Sequence, residues 1–113
     1  MTGYTGGSFS LASLRKRDGK RNLCIGFADP KPDHILVLEK DFPKINIKVS
    51  SGGHDTTLLV VGPDKKTVHC GDDTGKSKDA SIIGRNWKAG TYQIWVGSFK
   101  PRTRKTYRLS LQN

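Results

Sequence analysis

DTTLLVVGPDKKTVHCGDD, residues 55–73, has the pattern of a β-hairpin. Thr56 to Val61 is an unbroken apolar and β-branched run, suited to a pleated, largely buried strand. Gly62-Pro63-Asp64 supplies the turn: proline presets φ, and aspartate hydrogen-bonds the backbone just ahead of it. Lys65 and Lys66 keep that turn in water. Residues 67–70 return as a second strand, with Val68 and Cys70 on one face and Thr67 and His69 on the other. Antiparallel pairing then brings Asp55 near Asp72 and Asp73, an acidic end opposite the lysine turn.

Outward from the hairpin, short alternating segments continue in both directions. Residues 44–49 put Ile45, Ile47 and Val49 inward and Asn46 and Lys48 outward, the signature of a sheet with one wet face. Residues 34–39 are apolar on both faces, Ile35 and Val37 against Leu36 and Leu38, which predicts a strand covered on both sides. Leu23, Ile25 and Phe27 share one face of a predicted strand at 23–27, and Phe9, Ala12 and Leu14 mark an imperfectly spaced edge strand at 8–14. After the hairpin, residues 80–83 read as a short strand and residues 91–99 as the longest, with Tyr92, Ile94 and Val96 on one face and Gln93, Trp95 and Phe99 on the other. Tyr107, Leu109 and Leu111 form the inner face of the last strand. Eight or nine short strands with no helical period predict an all-β fold, an antiparallel β-sandwich of jelly-roll type. The chain reads as one domain over residues 1–113, with 1–7 as an N-terminal arm and no internal repeat or linker.

With 113 residues the chain can bury a modest core without metal or disulfide staples, and the low hydrophobic share of 34% with thirteen glycines suits turns and half-wet strands. Twenty Lys and Arg against ten Asp and Glu give a formal net charge of +10, which favours a polyanion, nucleic acid or acidic polysaccharide, or an acidic protein surface as partner. Charge alone also serves solubility. No apolar run approaches the ~18 residues of a membrane span, and the first residues lack the basic and apolar regions of a signal peptide.

Catalysis finds no motif: there is no Gly-x-Ser-x-Gly elbow, no P-loop and no His-Glu-x-x-His, and His34, His54 and His69 fall on separate elements. Calcium is the candidate cofactor, through Asp55, Asp72, Asp73 and Asp79, because hard oxygen ligands on loops suit that ion. The alternative is that these aspartates cap turns. Trp87, Tyr92, Trp95 and Phe99 bracket the Lys88–Gly90 turn, either as an exposed stacking strip or as core. Two basic turns remain. If residues 8–14 pair with residues 105–111, Arg15, Arg17, Lys20 and Arg21 come beside Lys100, Arg102, Arg104 and Lys105 as a single binding patch.

Asp55-Thr56-Thr57-Leu58, Gly62-Pro63-Asp64, Cys70-x-Asp72-Asp73, Ala89-Gly90-Thr91-Tyr92 with Trp95-Val96-Gly97, and Tyr107-x-Leu109-Ser110-Leu111 together resemble the bacterial pre-peptidase C-terminal domain, and more closely its cyanobacterial and myxobacterial relatives. The resemblance covers roughly residues 22–113 and implies a small non-catalytic β-sandwich, usually appended to secreted enzymes. Cys24 and Cys70 fall where related sequences carry cysteine, so it implies a disulfide in an oxidising setting: extracellular, cell-surface or periplasmic. Two buried thiols are the alternative. The functional expectation is an attachment module for a polyanionic or protein surface. Its rival is a structural or decoration subunit of a large particle, such as a virion, or of a filament.

Overall fold

The computed structural model describes residues 1–19, 23–71 and 79–112. Ten strands follow in order: β1 (Thr2–Tyr4), β2 (Phe9–Ser10), β3 (Phe27–Ala28), β4 (His34–Leu38), β5 (Phe42–Ser50), β6 (Thr56–Val61), β7 (Val68–Gly71), β8 (Ser81–Trp87), β9 (Gly90–Ser98) and β10 (Thr106–Gln112). One 3-10 turn spans Leu11–Ser13, and no helix among the described residues is long and apolar enough to cross a membrane. All pairings are antiparallel. One sheet has the order β1-β10-β5-β8; the other has β2-β3-β9-β6-β7, with β4 also on β9. First and last strands lie side by side, and most successive strands cross between the layers, as in a jelly roll.

The hairpin forms as its sequence dictates. Leu58 pairs with Gly71 and Val61 with Val68, so β6 and β7 form an antiparallel hairpin across the 62–67 turn. Asp64 Oδ1 accepts the backbone N–H groups of Lys66 and Thr67 at 3.0 and 2.9 Å, which locks the turn and holds its own pKa below the usual carboxylate value. Every residue of β6 is buried. Leu58 and Val60 face the core between the sheets, with Ile45, Ile47, Val49, Ile82, Trp87, Tyr92, Ile94, Tyr107 and Leu109. Leu59 and Val61 face the other way, into a second core with Leu11, Cys24, Ala28, Val68, Cys70 and Trp95. That second core is roofed by residues 11–19 and 23–26, with Leu11 and Cys24 packed over the outer face of the six-stranded sheet and Leu14 beside them. The Cys24–Cys70 disulfide, with Cα atoms 5.2 Å apart, fastens the roof to β7. Asp18 adds a carboxylate contact to the Cys70 N–H at 3.2 Å, and the Gly19 N–H reaches the Val68 carbonyl at 3.2 Å.

The departures from the sequence reading have local causes. Residues 8–14 are not one strand: Phe9–Ser10 pairs with β3, and the 3-10 turn then rotates Leu11 into the second core. The partner of β10 is instead β1, with Gly3 opposite Tyr107, where a side chain at position 3 would collide with the tyrosine hydroxyl. The predicted strand at 23–27 shrinks to Phe27–Ala28 because Gly26 takes φ +104. A Cβ there would strike the Thr57 side chain, so glycine lets the roof sit directly on β6. β8 runs on to Trp87, beyond the predicted 80–83, because it pairs with β5 as far as Phe42. Asn86, at φ 59, turns Trp87 back into the core, where its ring stacks on His69 with centroids 4.5 Å apart.

β9 carries two partners along one edge, β4 at its start and β3 at its end. Between them the 29–33 loop substitutes for a strand. The Asp33 carboxylate accepts the Val96 N–H at 2.8 Å, and the Pro30 carbonyl accepts Trp95 Nε1–H at 3.2 Å. Beside them His34 Nε2 and the Tyr107 hydroxyl share a 2.8 Å hydrogen bond that joins the two sheets. Burial pushes Asp33 up to about 6 from the ordinary 3.8, against the Val96 hydrogen bond and with help from Asp29.

Reduction of the disulfide removes a cross-link over a separation of 46 residues and is expected to cost ~2–4 kcal/mol, loosening the roof first. Thermal melts with and without reductant, alongside a Cys24→Ser/Cys70→Ser variant, measure it; coincident melts contradict it. A folded pKa raised above the unfolded one means that Asp33's contribution to stability is full below pH ~3.8 and is lost as pH rises through about 6. Asp33→Asn keeps an acceptor for Val96 without the charge, so its stability relative to wild type should rise between pH 4 and pH 7. A carboxyl NMR titration midpoint near the ordinary 3.8 contradicts this account.

Candidate functional site

The structure separates the two basic turns. Arg15 donates from its guanidinium to the Lys65 carbonyl at 3.3 Å, which places it beside the 62–67 turn at the far end of β6. Arg17 bridges Leu23 on the roof. The 100–105 turn sits at the other end: the Phe99 N–H reaches the Asp55 carbonyl at 3.0 Å, and the Arg102 N–H the Gly7 carbonyl at 2.7 Å. Six residues of β6 hold these ends roughly 17–20 Å apart. Arg15 and Arg17 therefore do not join Lys100, Arg102, Arg104 and Lys105 in one patch, because the pairing of residues 8–14 with 105–111 that would unite them is replaced by β1 with β10. Lys20 and Arg21 lie outside the described residues.

The acidic end is partly built as expected. Asp55 and Asp79 both border the 51–55 loop. Asp79 accepts the Ser51 N–H at 3.1 Å, the Ser51 hydroxyl, and the Thr56 hydroxyl at 3.3 Å, and Thr56 Oγ1 accepts the Ala80 N–H at 2.9 Å. This set ties the loop to the start of β8, so the Asp79 carboxylate is already engaged by protein donors. Among the described residues no three acidic, histidine or cysteine side chains gather as a metal site. Asp72 and Asp73 lie outside the described residues. The stacking strip does not form: Trp87, Tyr92 and Trp95 are buried, and of the four aromatics only Phe99 is exposed.

What the fold assembles instead is the outer face of the four-stranded sheet. The register fixes its rows. Thr2, Arg108 and Ser50 stand in line; next come Ser110, Lys48 and Ser81, then Gln112, Asn46 and Ile83, then Lys44 and Arg85. Tyr4 and Thr106 make the row on the near side of Arg108, with the Arg104 guanidinium 4.5 Å from the Tyr4 ring centroid. The 100–105 turn thus runs onto this face through Arg104. The four cations Lys44, Lys48, Arg85 and Arg108 are exposed, and none forms an ion pair among the described residues. No acidic side chain occupies any of these positions. Between the cations stand hydroxyls and amides, short donors and acceptors suited to oxyanions.

Lys44 and Arg85 are direct cross-strand partners. Like charges so placed repel across ~5 Å and destabilise a sheet. Among the described residues neither has a carboxylate partner. The sequence alternation had marked Lys48 as outward; it carried no signal that Arg85 and Arg108 flank the same strand, because that depends on pairings between distant segments. Searches against family models, curated proteins and solved structures found no match for this chain.

Lys44→Gln keeps the stem and removes one of the opposed charges. It should raise stability at low ionic strength by roughly 0.2–1 kcal/mol, and the gain should fade near 1 M salt, where the Debye length is ~3 Å. Chemical denaturation at two salt concentrations reads this; an equal or lower stability at low salt contradicts the repulsion.

Proposed function

We propose that the protein is a polyanion-binding module that engages its target with the outer face of the four-stranded sheet and the adjoining 100–105 turn. The observation that carries the reading is the acid-free row structure of that face, with Lys44 opposite Arg85 and with Lys48 and Arg108 on the diagonal. A bound chain of phosphates, sulfates or carboxylates converts the mutual repulsion of these cations into attraction, so the surface is better matched to a ligand than to water. Arginine offers paired donors to such groups and lysine a point charge. The side chains stand on paired strands, so the cations are spaced before the ligand arrives and little backbone ordering is required. The resemblance to secreted accessory sandwiches and the disulfide both favour an attachment role in an oxidising setting. Acidic polysaccharide and single-stranded nucleic acid share the chemistry needed, and salt-dependent binding to each separates them by affinity.

The test compares Lys48→Ser/Arg85→Ser/Arg108→Ser with Arg15→Ser/Arg17→Ser at the opposite end. On heparin the face variant should elute at clearly lower salt than wild type, and the end variant much closer to it. With a short single-stranded oligonucleotide, loss of three phosphate contacts should flatten the slope of log K against log salt by roughly two, at ~0.7 per contact. Equal elution of the face variant and wild type, or an equal loss from the end variant, overturns the reading.

A further inference from the structure

β4 departs from its sequence reading in one respect. Its sequence, HILVL, is apolar on both faces, yet only one face is covered. Leu36 and Leu38 turn toward an apolar groove at the side of the sandwich, lined also by Phe42, Ile45 and Leu111. Ile35 and Val37 point outward and stay 53% and 61% exposed. The strand pairs with β9 along one edge; among the described residues nothing pairs with the other. Natural sheets protect such an edge with a lysine, a proline, a bulge or an inward charge. Between His34 and Leu38 this one carries none.

We propose that the free edge of β4 is the seam of a homodimer, in which two copies pair antiparallel about a two-fold axis through Leu36. The pattern of the strand is self-complementary about that residue. Cross-strand partners must project to the same side of a sheet, so a symmetric antiparallel pair sets Ile35 of one copy against Val37 of the second, twice, and Leu36 against itself. The flanks carry opposite charges. Lys31 precedes the strand and Glu39 follows it, both exposed and neither in an ion pair among the described residues. Continued outward, this register sets Lys31 of each copy opposite Asp41 of the other and diagonal to its Glu39, while Glu39 falls opposite Asp33. The seam is short, at the small end of protein interfaces, and each copy carries +10, so the dimer is weak and is strengthened by salt.

The symmetry also has a consequence that rests on the proposed function. A two-fold axis perpendicular to the joined sheet leaves both four-stranded sheets on the same side. The two acid-free faces then point the same way, and one long polyanion can span both, gaining avidity without a new contact.

Sedimentation of the full chain without polyanion, from micromolar to millimolar concentration and at low and high salt, tests the seam. A monomer–dimer equilibrium that shifts toward dimer with salt is expected, and Val37→Lys should weaken it about tenfold or more. At low salt Lys31→Glu should weaken it, and adding Glu39→Lys should recover part of the loss. A monomer throughout overturns the proposal and leaves the edge to a strand of a different chain. A dimer indifferent to Val37→Lys, or one in which Glu39→Lys recovers nothing of the Lys31→Glu loss, also overturns it. Each of these outcomes leaves heparin binding by the wild type untouched, so failure of the seam is distinguishable from failure of the binding face.

Discussion

The arrangement depends on a strand that must be covered on both sides. β6 is apolar at every position but its two threonines, and all six of its residues are buried. The facing sheet covers one side. The other needs a roof, and residues 11–19 and 23–26 provide it with a 3-10 turn, Leu11, the glycine contact at Gly26 and the disulfide to Cys70. The outer face of the six-stranded sheet is largely used up in this way. The broad wet surface left is the outer face of the four-stranded sheet, and there the fold places cations without acids.

That division explains why the strands carry different patterns. β5 from Lys44 onward and β10 alternate because each has one core face and one water face. β6 and the middle of β9 lose the alternation because they lie between two cores: Trp95 is buried on the roof side and Ile94 between the sheets. β4 has the composition of such a strand without the second cover, with Ile35 and Val37 exposed, and it is the edge proposed above as a seam. A strand that breaks the rule obeyed by its neighbours points to function more strongly than a strand that keeps it.

Much of the fold was legible in residue order. The hairpin, the wet face of β5, the inner faces of β9 and β10 and the sandwich class all follow from period-two alternation and turn chemistry. What stayed hidden has physical reasons. Gly26 ends a strand through a positive φ that no periodicity reveals, and the residues after Phe9 rotate through a 3-10 turn whose spacing mimics a poor strand. Thr2–Tyr4 has no apolar alternation at all; it is a strand because β10 offers it an edge. The proposed binding surface was half visible. The 100–105 turn was marked by composition, but its neighbours are set by register, which brings Arg108, Lys48 and Arg85 together from three separate segments. Sequence alternation says which side a residue faces and is silent on who stands beside it.

Amide chemical-shift mapping tests most directly whether a polyanion engages the four-stranded sheet. On titration with a short sulfated oligosaccharide, the shifted amides should cluster at 44–50, 81–85 and 104–112, spreading to Tyr4 and leaving the 62–67 turn and residues 15–17 still. Shifts gathered on the 62–67 turn and Arg15, with the four-stranded sheet unmoved, would contradict it.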